Sequence, residues 1–253
     1  MTLSRPLLGA LTLLLTSSFI PGQQFASAPK FPYPEKLSYH VEWRMLTAGE
    51  GIVQLTRGTP QDWSISLNLT SAGFVSRLYK VLDNYKVSTN DRFCGENALL
   101  DAEEGKRHLI ARLTFDNSHH KVDYEERDLM KNTSMKNQLD IAPCTCEITG
   151  ALVTLRTTKL GPGQTMTIPI TDGKKMAYAK IEGQAKESLT INGRNYSTVR
   201  YEAFVFDNVV YKRKGRLLVW VTDDARRLPV QFRLQMGFPI GTVTVLLDKE
   251  ERL

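Results

Sequence analysis

From residue 164 onward the chain alternates apolar and polar residues with a period of two, segment after segment. That period belongs to strands and not to amphipathic helices. Val230, Phe232, Leu234 and Met236 alternate with Gln231, Arg233 and Gln235, and Val243, Val245 and Leu247 alternate with Thr242 and Thr244. Neighbouring side chains on a strand point to opposite faces, so each segment presents one apolar and one polar face. The pattern predicts strands at 164–170, 174–183, 185–191, 195–206, 210–222, 228–236 and 241–248. Asp172-Gly173 and Asn192-Gly193 separate some of them and are the dipeptides of tight hairpins, whose turns need positive φ. Sequential antiparallel hairpins are the economical topology.

The first half carries the same signal less densely. After Pro29, Pro32 and Pro34, the residues Leu37, Tyr39, Val41, Trp43 and Met45 alternate with Ser38, His40, Glu42 and Arg44. With 51–57 and the alternating Trp63, Ile65, Leu67 and Leu69, they predict a meander. Phe74 and Leu78 share a face if 73–79 is a short helix. Extended structure is predicted again at 85–89, 99–103, 108–115 and 121–126, whereas 128–146 is polar and irregular and reads as a long loop. A second helix is predicted at 147–157, with Ile148, Leu152 and Leu155 on one face and Gly161-Pro162-Gly163 beyond its end. So many strands must bury one face against something. The expectation is a mainly β protein, a large curved antiparallel sheet or a barrel or half-barrel, that one or two short helices partly plug.

Residues 1 to about 28 have the three parts of a secretory signal: a basic start at Arg5, the apolar stretch Leu7 to Leu15, and the small-residue exit Ala26-Ser27-Ala28. A membrane-spanning helix needs roughly 20 apolar residues. Thr16, Ser17, Ser18, Pro21 and Gly22 interrupt this one first, so a cleaved signal is expected, followed by a single domain over 29–253. Pro29 blurs the cut site. No Cys follows the apolar stretch to take a lipid, and no second apolar run of spanning length lies downstream. The expected location is periplasmic or secreted, without a transmembrane anchor once the signal is cut.

Lys and Arg number 33 and Asp and Glu 27, a mild surplus that contains no block long enough for a nucleic-acid arm. The densest basic cluster, Lys212-Arg213-Lys214 with Arg216, is expected at a hairpin tip, where it could touch an acidic surface. Three cysteines are present, Cys94, Cys144 and Cys146. Three is odd, so one stays free or pairs with another molecule. Residues two apart on a strand stand roughly 6–7 Å apart, too far for Cys144 to bridge Cys146 without strain. Cys94 is therefore expected to pair with Cys144 or with Cys146.

Chemistry is harder to find. Gly-x-Ser-x-Gly, the strand-elbow nucleophile pattern, does not occur. His119-His120 with Asp123 is a poor metal set, because adjacent side chains on a strand point to opposite faces. His40 and Glu42 share a polar strand face, and Asp223-Asp224 precedes Ala225-Arg226-Arg227 as a turn would. No catalytic set, metal or cofactor is assigned. Tyr39, Trp43, Trp63, Phe115, Trp220 and Phe232 all fall on apolar strand faces. On the concave side of a curled sheet they would line an apolar groove; as ordinary packing they would fill the core.

The Tyr39-x-Val41-x-Trp43 strand with Ala48-Gly49-Glu50-Gly51, the Leu160-Gly161-Pro162-Gly163 run, Leu218 to Asp224 with Arg227-Leu228-Pro229-Val230, and the closing Gly241 to Leu247 occur in one order. Together, over roughly 36–248, they resemble the exported bacterial family numbered 3108 among domains of unknown function. The resemblance implies a periplasmic or secreted antiparallel β protein. In strand count and compartment the chain also looks broadly similar to the periplasmic half-barrels that carry lipids or lipoproteins.

Three functional expectations follow. The first is a non-enzymatic exported protein that holds an apolar or lipid-like ligand, or serves as a scaffold for cell-envelope assembly, with an envelope protein as partner. The second is an envelope hydrolase or carbohydrate-active enzyme, which would need two carboxylates roughly 5–9.5 Å apart in one cleft. The third is a module that binds protein partners along an exposed strand edge.

Overall fold

The computed structural model describes residues 30–58 and 62–253, and the predicted signal lies outside them. The elements run β1 (Glu35–Trp43), β2 (Leu46–Arg57), β3 (Trp63–Ser71), α1 (Gly73–Leu78), β4 (Val81–Thr89), β5 (Gly95–Glu104), β6 (Arg107–Asp116), β7 (Lys121–Asp128), β8 (Thr133–Asp140), α2 (Ile148–Thr157), β9 (Thr165–Thr171), β10 (Met176–Ile191), β11 (Arg194–Phe204), β12 (Gly215–Thr222), β13 (Pro229–Met236) and β14 (Thr242–Arg252). All the strands join one sheet, ordered β8-β7-β6-β5-β4-β3-β2-β1-β14-β13-β12-β11-β10-β9. It is two antiparallel meanders joined where β1 pairs with β14.

The two outermost strands, β8 and β9, do not pair with each other, yet the sheet curls until its two arms touch. Asn137 Nδ2 on β8 donates to the Gly173 carbonyl at 3.2 Å, and Lys174 Nζ stands 2.6 Å from Glu126 on β7. Gly173 has φ +83°, and a Cβ there would meet the Tyr124 ring at 2.1 Å. Only glycine lets the arms come this close. The result is a strongly curved open sheet rather than a closed barrel.

The alternation located most strands, with three corrections. β8 runs through the segment read as a loop. Its sequence Thr-Ser-Met-Lys-Asn-Gln-Leu-Asp is exposed or half-exposed throughout, so an edge strand with water on both faces leaves no apolar period to read. Pairing with β7 and a 2.8 Å hydrogen bond from Gln138 to Asp123 hold it. β10 is one strand of 16 residues where two were expected, because a register shift between Gly183 and Ala185 breaks the period without ending the strand. Residues 210–214 belong to turns, and β12 begins only at Gly215. Of the two hairpin dipeptides, Asn192-Gly193 has the doubly positive φ of the tight turn, 50° and 74°. Asp172-Gly173 instead opens a four-residue turn, where Asp172 accepts from the Lys174 and Lys175 amides at 2.9 and 3.0 Å.

The helix α2 lies inside the curl and closes one end of it. Ala151 and Leu155 join the cluster of Ile170, Val199, Tyr201 and Val219 from one arm. Val153 joins Trp63, Phe93, Phe115 and Val122 from the other. At the end of α2, Arg156 pairs with Glu35 of β1, both almost fully buried. Its remaining donors reach the carbonyls of Arg227 at 2.7 Å and Arg226 at 3.2 Å, and its guanidinium lies 3.8 Å over the Phe31 ring. Arg227 in turn donates to Tyr201 Oη at 3.0 Å and to the Thr158 carbonyl at 2.8 Å. Cys94 forms a disulfide with Cys144, tying the β4–β5 turn to the segment that enters α2. Cys146 stays free and buried. The pairing thus falls on one of the two partners the sequence allowed.

A cleft at the open end of the sheet

Opposite the plugged end, the curl holds a cleft of about 250 Å³. One wall is the inner face of β4 to β7, where Leu109, Ala111 and Leu113 alternate inward. The facing wall is Ile170 at the end of β9 and Val210 in the β11–β12 connection. Its floor is the start of α2, where Ile148 is half-buried and Glu147 is buried. The walls are thus aliphatic because β6 turns its apolar face inward, and the space exists because α2 starts below it.

Polar groups gather at the mouth: Arg107, Glu126, Asp172 and Lys174, with the hydroxyls of Tyr85, Tyr124 and Tyr211. Burial pushes the Tyr211 phenol up to about 12, with the negative charge of Glu147 adding to it. Burial also raises Tyr85, and it raises Tyr124 with a further push from the hydrogen bond to Glu126. All three therefore stay neutral; Tyr124 spends its proton on Glu126, which leaves the Tyr85 and Tyr211 hydroxyls to donate to a ligand's polar end. Burial works to raise the Glu126 carboxyl, but hydrogen bonds from Lys174 and Tyr124 hold it net below its ordinary value. Burial raises the Glu147 carboxyl, against hydrogen bonds from Thr149 and the first amides of α2. Glu147 is the N-cap of that helix, accepting from the Gly150 amide at 2.8 Å. Asp83 lies inside the curl near this end and is almost fully buried, with one carboxylate oxygen lacking a hydrogen-bond partner. Burial, with the charge of Glu104, pushes it up to about 7.

The six aromatic residues singled out in the sequence do not share one groove, and none lines this cleft. Tyr39 and Phe232 meet edge to face inside the curl, ring centres 5.8 Å apart, with Tyr39 Oη donating to the Pro229 carbonyl at 2.9 Å. Trp63 and Phe115 belong to the cluster around Phe93 at the plugged end, and the Phe115 ring occupies the space over Gly95 that a Cβ would need. Trp220 pairs in register with Gln231 and so points to the opposite face from Phe232. There the β10–β11 tip folds over it, with Glu187 accepting from its indole at 2.9 Å. Trp43 sits at the end of β1, donating to the Ile240 carbonyl. Ring size marked packing positions in this sheet. The aliphatic cleft wall carried an alternation the sequence does show, but nothing in it separates an inward face that meets space from one that meets core.

The candidate polar sets also separate. His119 pairs with Asp116 at 2.7 Å on the surface, and His40 Nδ1 lies 2.6 Å from Asp248. Asp224 ties the β12–β13 turn together through Thr222 and Arg226, while Asp223 reaches Lys186 at 2.6 Å. Among the described residues no group of three or more His, Cys, Asp or Glu side chains could hold a metal, and no helix is long and apolar enough to cross a membrane.

An open antiparallel sheet curled round a plugging helix, with an aliphatic cleft at its free end, puts the chain among barrel-like β proteins that enclose space without closing a barrel. The family model described as Protein of unknown function (DUF3108) matches residues 38–248, and the chain belongs to that family. The expected resemblance is borne out. Among solved structures, the chain is similar to the beta-barrel-like protein of domain of unknown function DUF1849 from Brucella abortus. The two are 8% identical over 87% of this chain and 98% of that one, with a TM-score of 0.54, a likeness of fold alone. A putative exported protein with YmcC-like fold from Bacteroides fragilis matches at 8% identity over 88% and 98% of the two chains, with a TM-score of 0.38. No curated protein matches the chain.

Proposed function

We propose that this protein is a non-enzymatic, exported binding protein that holds an apolar or lipid-like ligand in the cleft at the open end of its sheet. The observation that carries the reading is the aliphatic lining of that cleft, Leu109, Leu113, Ile148, Ile170 and Val210, left unfilled in a molecule whose other end is tightly packed. Ligand sites are mostly apolar clefts of roughly 300–1,000 Å³ with a few placed polar groups. A cleft of about 250 Å³ lies just under that range and suits a small molecule or one narrow chain better than a bulky two-chain lipid. The neutral hydroxyls of Tyr85 and Tyr211, with Arg107 and Lys174 at the mouth, would meet its polar end.

Export to an oxidising compartment is supported by the Cys94–Cys144 disulfide, a bond that persists there and is rare in the cytosol. A hydrolytic role is less well supported, because the carboxylates of the cleft have structural duties. Glu126 holds Lys174 across the two arms, Glu147 caps α2, and Asp172 ties its own turn.

The test is uptake of the apolar fluorophore N-phenyl-1-naphthylamine, with native mass spectrometry of protein purified from the envelope. Wild type is expected to bind the dye at micromolar concentration. Ile148→Trp, which extends an indole from the floor into the space, should weaken uptake at least tenfold while keeping a cooperative melt. Dye binding that is absent in wild type, or unchanged in this variant, overturns the proposal.

A further inference from the structure

The strand directions bring seven turns to the open end: 44–45, 72–80, 105–106, 129–132, 172–175, 205–214 and 237–241. Large apolar side chains protrude there. Met45 is 95% exposed, Phe238 96%, and Phe74, Leu78 and Met130 between 62% and 67%. Of the 13 large apolar residues exposed among the described residues, all but Leu253 lie in these turns or within three residues of them. Scattered single exposures are ordinary, but confinement to one end is not. α1 shows the same bias on a small scale: it buries none of its residues, and Phe74 and Leu78, four apart, share a face with no partner.

Charge follows the same axis. The seven turns carry ten basic residues, with Lys212-Arg213-Lys214 the densest run, against only Asp172 and Asp207. Three of the ten, Lys80, Lys131 and Lys174, pair with carboxylates of neighbouring strands, and Asp172 is occupied within its own turn. The turns at the plugged end carry four basic residues, Arg92, Lys159, Arg226 and Arg227, against four acidic ones, Asp62, Asp91, Asp223 and Asp224. An end that is both apolar-tipped and basic has the composition of a surface that lies in the headgroup layer of a bilayer, apolar tips down and cations on phosphates.

We propose that this end of the sheet docks on the surface of a membrane rich in anionic lipid, with Met45, Phe74, Leu78 and Phe238 entering the interfacial layer and the Lys212-Arg213-Lys214 turn held against lipid phosphates. The anionic bilayer is chosen over an acidic protein because the apolar tips stand on separate turns with basic residues between them, an arrangement that a fluid headgroup layer meets without a matching partner surface. Docking in this orientation turns the mouth of the cleft toward the membrane. It does not depend on what the cleft holds.

The experiment is sedimentation of the folded protein with vesicles of pure phosphatidylcholine and with vesicles containing a third phosphatidylglycerol. At 50 mM salt, at least tenfold stronger binding to the anionic vesicles is expected, falling at 500 mM salt. Lys212→Glu with Lys214→Glu should weaken it at least tenfold. Phe74→Ser with Phe238→Ser should weaken it severalfold and abolish what survives at high salt. Both pairs lie at exposed positions, so melting temperatures should stay near wild type. Ile148→Trp, the cleft variant, should bind vesicles as wild type does, which separates failure of the cleft reading from failure of this one. Equal binding to neutral and anionic vesicles, no binding at 50 mM salt, or loss caused equally by Arg92→Glu with Lys159→Glu at the plugged end overturns the proposal.

Discussion

The Glu35–Arg156 pair offers a sharp test of how the closed end is held. Both side chains are almost fully buried, at 1% and 3% exposure, so neither charge has water to fall back on if the other is removed. Breaking a buried pair by deleting one partner costs roughly 3–5 kcal/mol, because the remaining charge is stranded. Glu35→Gln keeps the volume and a carbonyl acceptor, and Arg156 retains the carbonyls of Arg226 and Arg227, so the lower end, about 3 kcal/mol, is expected. Arg156→Met strands the Glu35 carboxylate and empties both of those carbonyls, so the upper end, about 5 kcal/mol, is expected. For a domain of this length 1 kcal/mol moves the melting temperature roughly 2–4 °C, giving drops of about 6–12 °C and 10–20 °C. The double variant should cost clearly less than the sum. Glu35 Oε2 has no hydrogen-bond partner even in the native protein, so removing both charges also removes an uncompensated group. A coupling of at least about 2 kcal/mol should appear in urea unfolding followed by tryptophan fluorescence, and burial should keep it nearly unchanged between low and high salt. Additive losses within roughly 0.5 kcal/mol, or a coupling that fades with salt, would refute the reasoning.

Two further outcomes follow from the same structure. The disulfide links residues 50 apart, for which the loop-entropy relation gives about 4 kcal/mol. Cys94→Ser with Cys144→Ser should therefore lower the melting temperature by roughly 8–16 °C, and a shift under about 3 °C would show that the closed loop does not limit the unfolded chain. Asp83 ionises in the folded protein only near pH 7, well above its ordinary value, so the folded state holds the proton more tightly than the unfolded one. Its stabilising contribution is full below about pH 4 and is lost as pH rises through about 7. Asp83→Asn should melt like wild type at pH 4 and distinctly higher at pH 8; equal melting at both, tracked by circular dichroism, would sink that assignment.

The strands were legible in the alternation alone, because a half-buried sheet writes its geometry into a period of two, and β1, β6, β13 and β14 can be read residue by residue. The sequence also marked the two helices, and it narrowed the disulfide to two choices by the geometry of neighbours on a strand. It could not show β8, which buries neither face, nor that Gly183 interrupts a period without ending a strand. Which inward faces meet core and which meet open space was set by the packing of distant segments. Trp63 and Leu109 look alike in sequence, each an apolar residue on an alternating strand. Phe93 and Phe31 fill the space around the first, while α2 starts low enough to leave the second beside a cleft. The gathering of Met45, Phe74 and Phe238 with the Lys212-Arg213-Lys214 turn at one end was equally invisible, because it depends on the direction in which each strand runs. Periodicity is a local property of the chain, whereas enclosed volume and a shared surface depend on residues far apart in sequence.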